Sequence, residues 1–384
     1  MSIRDTVEGQ LTRYLAELEA LVSIDCGSYT PAGVNRVADF CTDALAALGA
    51  TVERIPAEGL GDLVIGRLAG EGPRILIIGH MDTVFDPGTA AERPFRREGD
   101  RAFGPGVTDM KGGLLAGFHA LAALQAEGIG PSVTYVCNPD EEIGSPFSGP
   151  HIRRLAAEHD AALVLECARA NGDIVSARKG IADYHVEITG RAAHAGVEPE
   201  KGRSAILEAA HEVLTLTALN GRWPSVTVNV GVIEGGTRPN VVAARCRLKV
   251  DLRAASVAEF ETAAGELERI VSTPTVEGTH ATLERVAGHQ PMERSPAIGR
   301  LVTLAQEIAG ELGFGVNDAA TGGASDANTC AAAGLPVLDG LGPIGGDDHS
   351  PGEWLDVTSV VPRSALVAGL ISRIGEALQS GSRM

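Results

Sequence analysis

The sequence predicts an α/β catalytic domain, a mostly parallel sheet with helices on both faces, interrupted by an inserted α+β domain of ferredoxin-like order. Three observations predict it. Apolar strands alternate with amphipathic helices as far as residue 178, which is the grammar of a parallel sheet covered on both sides. From about residue 179 single-residue alternation takes over, as in a sheet with one wet face. After Pro291 the first grammar returns. At 384 residues the chain exceeds one ordinary core. The expected domains are therefore residues 1–178 with 290–384, and residues 179–289.

The elements follow in order. Residues 4–22 and 34–48 read as amphipathic helices, apolar at Leu11, Leu15 and Leu18, then at Val37, Phe40 and Leu45. Strands are expected at 51–56, 62–68 and 74–79, and the run Asp109-Met110-Lys111-Gly112-Gly113 opens a long apolar helix. Strand 132–138 ends in Asp140-Glu141-Glu142, and strand 161–165 ends in Glu166. In the inserted region Tyr184–Gly190 alternates as a half-exposed strand. A helix at 203–218, strands at 225–234 and 241–253, a helix at 256–271 and a strand near 279–286 complete a β-α-β-β-α-β order. A helix at 296–312, a Gly-rich turn at 322–323, a strand at 335–339 and a last helix from about 357 close the chain.

Composition narrows the function. A net charge of -18 and an aromatic content of 4% argue against nucleic acid and anionic membranes as partners. No apolar run is expected to reach membrane-spanning length, and the amphipathic N-terminus does not read as a signal peptide. The six cysteines are scattered without a C-x-x-C pair, as buried thiols of a cytoplasmic protein would be.

The chemistry concentrates at strand ends. Gly79-His80-Met81-Asp82 closes the buried run Arg74–Ile78, and two residues apart in a strand point the same way. Asp82 can then hold His80 in the tautomer that a metal needs. Asp109, Glu142, Glu166 and His349 each follow an apolar strand or sit beside Gly or Pro, and loops at strand C-termini converge on one crevice. Two imidazoles and three carboxylates suit two zinc-like ions if one carboxylate is shared. Such ions, about 3.5–4 Å apart, can hold both a water and a substrate carbonyl oxygen. Glu141 and Glu142 point apart in extended backbone, so one is a ligand and the other a general base, in an order that spacing leaves open.

These motifs, with Gly104-x-Gly106 before Asp109, Asp140-Glu141-Glu142-Ile143-Gly144, Arg191-x-x-His194-Ala195-Gly196, Asn240-Val241-Val242 and His349-Ser350, resemble the di-zinc exopeptidases. That family includes glutamate carboxypeptidase, aminoacylase and succinyl-diaminopimelate desuccinylase. The similarity runs from about residue 5 to 375 and is nearest to the glutamate carboxypeptidase branch, because Glu166 rather than Asp follows the fourth strand. The resemblance implies a zinc exopeptidase-like catalytic domain and a homodimer formed through the inserted domain. It implies two Zn2+ per chain, with Co2+ or Mn2+ as substitutes. Asp109 would bridge them, His80 and Glu166 completing one site, Glu142 and His349 the other. Glu141 would be the base, Asp82 the partner of His80, and a cis peptide would join Asp109 to Met110. His194 would reach the partner subunit's site and stabilise an oxyanion. Asn240, Arg253 and the Gly322-Gly323 loop would contact substrate, Arg253 by a bidentate hold on a carboxylate.

One departure bears on specificity. Glutamate carboxypeptidase carries an Arg just before the Pro where the chain re-enters its catalytic domain, and this sequence has His289-Gln290-Pro291. It also has Ala319-Ala320 where an Arg is usual before the Thr-Gly-Gly loop. Loss of one cationic anchor in a desolvated pocket removes about 2–4 kcal/mol of binding to a dianion. The expected activity is thus hydrolysis of an N-acyl or N-aminoacyl amino acid with a free carboxylate. A deacylase or amidohydrolase of another amide on the same ions is the alternative. A nucleotide-dependent enzyme is disfavoured, since neither a G-x-G-x-x-G after the first strand nor a G-x-x-x-x-G-K-[ST] occurs.

Overall fold

The structure, a computed structural model, describes residues 2–379. The chain divides into two compact units. One holds residues 2–176, Arg294–Ala320 and residues 325–379; the other holds Ala177–Glu293 with Thr321–Ala324. The Gly322-Gly323 turn falls in the second unit.

The first unit begins with helices α1 (Ile3–Val22) and α2 (Pro31–Ala47), then strands β1 (Thr51–Ile55), β2 (Leu63–Leu68) and β3 (Glu71–His80). Helix α3 (Gly112–Ala126), β4 (Pro131–Asn138), α4 (Ser148–Ala156) and β5 (Ala161–Val164) follow. The sheet order is β1-β2-β4-β3-β5, extended by a two-residue strand at Val337–Leu338. Pairings among β4, β3, β5 and 337–338 are parallel, whereas β1 and β2 join antiparallel at one edge. Ile75–His80 is buried without alternation, as a strand covered on both faces must be.

The second unit contains β6 (Gly180–Thr189), α5 (Ala205–Thr217), β7 (Thr227–Gly235), β8 (Arg245–Ala254), α6 (Val257–Val271) and β9 (His280–His289). Its antiparallel sheet runs β7-β8-β6-β9. Tyr184, Val186 and Ile188 of β6 and Leu248, Val250 and Leu252 of β8 point into one core with Leu216 of α5 and Phe260 and Leu267 of α6. The alternation in β6 and β8 is the sequence signal of a sheet with one packed face.

Within that core Glu208 and Glu212 lie one helical turn apart on α5, 1% and 2% exposed. Glu208 accepts hydrogen bonds from the N–H groups of Thr275 and Val276, while neither oxygen of Glu212 has a partner among the described residues. Burial, reinforced by the Glu208 charge, pushes the Glu212 carboxyl up to about 8. A carboxyl whose folded-state pKa exceeds its unfolded value keeps its proton longer when folded. Its contribution is therefore intact below about pH 4.5 and is lost as pH rises towards 8, on the order of a few kcal/mol in all. Glu212→Gln is expected to melt increasingly above wild type as pH goes from 5 to 8. Parallel melting curves for the two proteins at every pH would contradict this.

The first unit ends with helices α7 (Pro296–Glu311), α8 (Asp326–Ala332) and α9 (Val357–Gln379). Helix α9 corrects one expectation: by length and composition it could cross a membrane. Yet 78% of its most apolar window is buried within the protein. Arg363 lies about two turns into it, donating to the carbonyls of Gly342, Gly172 and Gly340. That is the burial of a core helix.

Candidate metal centre and active site

The C-terminal ends of the parallel strands β3, β4 and β5, the turn before α3 and the segment before Trp354 build the site. β3 delivers His80, which is 1% exposed. Its Nε2 lies 3.0 Å from Oδ1 of Asp109 and 3.7 Å from Oε1 of Glu166. The other oxygen of Asp109, Oδ2, is 3.1 Å from Nε2 of His349, which in turn lies 3.0 Å from Oε2 of Glu142. One carboxylate thus faces two imidazoles, and each imidazole has a further carboxylate beside it. Ligand atoms of His80, Asp109 and Glu142 lie within 4.8 Å of one another, as do those of His80, Glu141 and Glu166.

The loop carrying Asp109 is not a simple helix start. Val107–Lys111 forms a wide π-type turn in which Asp109 and Met110 leave helical geometry, and the Asp109–Met110 peptide is cis. Gly106 turns the chain at a φ of 71°, in the left-handed region that Gly occupies readily. Asp347 and His349 take φ of 57° and 60° without being Gly, a conformation that clusters at ligand clamps.

Packing behind the site tolerates little change. A Cβ on Gly113, in the first turn of α3, would stand 1.9 Å from the carbonyl oxygen of Leu165, next to Glu166. Gly113→Ala is expected to cost at least about 1–3 kcal/mol of stability and to displace Glu166. Denaturant unfolding read alongside bound metal checks both effects.

Asp82 serves the site differently from the sequence expectation. The Nδ1 of His80 is 2.9 Å from the main-chain oxygen of Asp82 and 3.5 Å from its carboxylate. The carboxylate instead accepts from Ser28 Oγ at 2.7 Å and from the N–H groups of Glu141 and Glu142 at 3.1 and 3.2 Å. Asp82 therefore fixes the Glu141–Glu142 backbone while its carbonyl orients the imidazole. Glu141–Ile143 is a 3-10 turn, so the two side chains diverge by helical rotation and not by strand alternation.

Electrostatics suit cations. Burial raises the Glu141 carboxyl well above the ordinary range, and the Glu166 charge adds to it. Burial also raises Glu142, against the hydrogen bond from His349. Burial works to raise Asp109 as well, but hydrogen bonds from His349 and His80 outweigh it and hold that carboxyl well below its usual value. His349, bonded to Asp109 and Glu142, is lifted to about 11. Four carboxylates around two imidazoles leave an excess of negative charge, and nitrogen and oxygen donors of this kind fit divalent zinc-like ions.

In the second unit the structure places His194 on the surface, its Nδ1 accepting from the Gly196 N–H at 3.2 Å. Asn240 lies on the adjacent segment, its carbonyl accepting from the Ala195 N–H at 3.0 Å. Arg253 Nε donates to both oxygens of Asp251 at 3.0 and 3.1 Å, and Nη1 donates to the Gly322 carbonyl at 3.0 Å. Gly323 gives its carbonyl to Arg178 Nη1 at 3.1 Å. Arg253 thus stands in a strand-end ion pair, and the Gly322-Gly323 turn presents carbonyls to guanidinium groups. Gln290, at the position of the missing Arg, donates to Glu261 at 2.8 Å.

The family profile of peptidase family M20/M25/M40 matches residues 76–373. The chain belongs to this family. It is 33% identical over 369 residues to carboxypeptidase G2 of Pseudomonas sp. (strain RS-16), covering 93% of this chain and 88% of that protein. It is 27% identical to the acetylornithine deacetylase of Proteus mirabilis (strain HI4320), over 85% of this chain and 87% of the deacetylase. The solved aminopeptidase PepT of Bacillus cereus ATCC 10987 superposes with a TM-score of 0.77 at 24% identity, covering 95% of this chain and 98% of the other, a likeness of fold. The M20/M25/M40 assignment makes the chain a metallohydrolase with a catalytic domain and a second α+β domain.

Several residues that matter here escaped the sequence. Glu353 is 1% exposed, and its carboxylate accepts from the N–H groups of Gly106, Thr108 and Asp109. Asp326, buried beside Ser145 and Asn138 and lifted to about 6 by that burial, adds negative charge near Glu141. Lys111 is buried with its ammonium on the carbonyls of Ile24 and Pro105. Only Lys111 carried a signal, as a charge within an otherwise apolar helix start.

Proposed function

We propose that this protein is a di-zinc amide hydrolase that releases an amino acid from an N-acyl or N-aminoacyl amino acid with a free carboxylate. The observation that carries the reading is the Asp109 carboxylate facing His80 through one oxygen and His349 through the other. His80, Asp109 and Glu166 would hold one ion, and His349, Asp109 and Glu142 the other. When bound, two such ions act as Lewis acids that polarise the amide carbonyl and lower the pKa of water.

The protein's own groups do the rest. Glu141, raised by burial, takes the proton of the attacking water at its carboxylate and delivers it to the leaving nitrogen. Asp82 holds the Glu141 main chain still during both transfers. His194 of the partner subunit would donate to the oxygen on which charge develops. Asn240, Arg253 and the Gly322-Gly323 turn would meet the free carboxylate, Arg253 once its guanidinium is exchanged from Asp251 to substrate.

Support for the substrate class comes from the relatives. Carboxypeptidase G2 and acetylornithine deacetylase share most of this chain's length. A homodimer through the second unit is part of the same proposal. Its support is the exposed apolar stripe of Ile206, Leu207 and Leu214 on α5, together with Ile233 on the sheet-edge strand β7. A cytoplasmic location is in keeping with six buried, unbridged cysteines.

A panel of N-acyl amino acids assayed against p-aminobenzoyl-glutamate tests the reading. The expected result is chelator-sensitive hydrolysis of N-acyl amino acids without a strong preference for glutamate, since Gln290 is engaged by Glu261. Absence of turnover on every member of the panel would overturn it. The second reading, a deacylase of another amide on the same site, is favoured by the Proteus relative and predicts release of acetate from N-acetyl amines without a free α-carboxylate, which the first reading does not.

A further inference from the structure

We propose that Glu353 is a positioning residue that ties the loop of Asp109 to the segment of His349, so that their shared metal position assembles as one piece. The inference rests on the metal-centre reading above. Oε2 of Glu353 accepts from the Gly106 N–H at 2.9 Å, and Oε1 accepts from the Thr108 and Asp109 N–H groups at 3.0 and 3.1 Å. Three main-chain donors that face no helix or strand partner thus converge on one buried carboxylate, and bonds of this charge-assisted kind are strong.

The other end of the same residue belongs to the His349 segment. Glu353 follows His349 by four residues, and its N–H donates to the Ser350 carbonyl at 3.3 Å. Immediately beyond it, Trp354 and Leu355 pair with Phe103 and Ala102, just before the Asp109 loop begins. Side chain and strand together fasten the two segments at both ends of the 104–109 loop. Asp109 Oδ2 and His349 Nε2, 3.1 Å apart, are the groups so aligned. Glu353→Gln preserves the shape but turns one acceptor into an amide donor aimed at N–H groups, which releases one side of the loop.

The test is zinc affinity of the full chain, read by competition with a chelating dye well below the melting temperature. Glu353→Gln is expected to weaken zinc by about 10–100-fold, the range for a group that orients a ligand. Ile298→Val, which thins the core of α7 away from the site, serves as a destabilised control that keeps wild-type affinity. Amide hydrogen exchange at Gly106, Thr108 and Asp109 is expected to quicken in Glu353→Gln alone. Wild-type zinc affinity in Glu353→Gln, or an equal loss in the control, overturns the proposal while leaving the metal centre intact. A wild-type protein that binds no zinc overturns both. Should Glu353→Gln fail to fold, Glu353→Asp decides: its shorter arm must weaken zinc by a smaller factor, and unchanged affinity overturns the inference.

Discussion

Glu141→Gln is expected to lower turnover by about 100- to 10,000-fold, the range that a positioned general acid–base supplies. The amide keeps the volume and the main-chain bond to Asp82, so metal content and KM should change little. The reason lies in the surroundings of the carboxyl. It is half-buried, its ligand atom lies within 4.8 Å of those of His80 and Glu166, and desolvation with the Glu166 charge holds its pKa high. A carboxyl so placed is a stronger base than an ordinary one and can return the proton to the leaving nitrogen. Steady-state kinetics with elemental analysis of the same sample separates the loss of a base from the loss of an ion. Full activity in the variant would remove Glu141 from the reaction.

Asp109→Ala is expected to abolish both metal positions at once. Each oxygen of this carboxylate faces a different imidazole, so its removal strips a ligand from each. Activity should fall by at least about 1,000-fold, since Lewis-acid polarisation contributes several kcal/mol and ~4 kcal/mol corresponds to that factor. Glu166→Ala and His349→Ala each touch one side only and should retain more metal than Asp109→Ala. Equal metal content in Asp109→Ala and wild type would show that the carboxylate bridges nothing.

Much of this was legible in the sequence because the relevant signals are local. A continuous apolar run ending in His80, and others ending before Glu142 and Glu166, state where parallel strands stop, and a parallel sheet gathers its strand ends on one side. The second unit was legible from the period-two burial of β6 and β8. What stayed hidden depends on contacts between distant segments. Glu353 reads as an ordinary charge in a loop, and only the fold brings it to the N–H groups of residues 106–109, some 245 positions away for Thr108. Asp82 was identified with the right neighbourhood but a different partner atom, since the Glu141–Glu142 turn competes for its carboxylate. Arg253 shows the same limit: its position is plain, whereas its ion pair with Asp251 arises from side-chain geometry two residues apart on β8. Helix α9 shows a further limit: Pro362 and Arg363 interrupt its apolar pattern in the sequence, yet the folded helix of 23 residues is long and apolar enough to span.

The central claim is that His80, Asp109, Glu142, Glu166 and His349 hold two ions between them. Anomalous diffraction at the zinc edge from crystals of zinc-loaded protein tests it most directly. The account predicts two peaks per chain, one among His80, Asp109 and Glu166 and one among His349, Asp109 and Glu142. A single peak, or peaks away from Asp109, would contradict it.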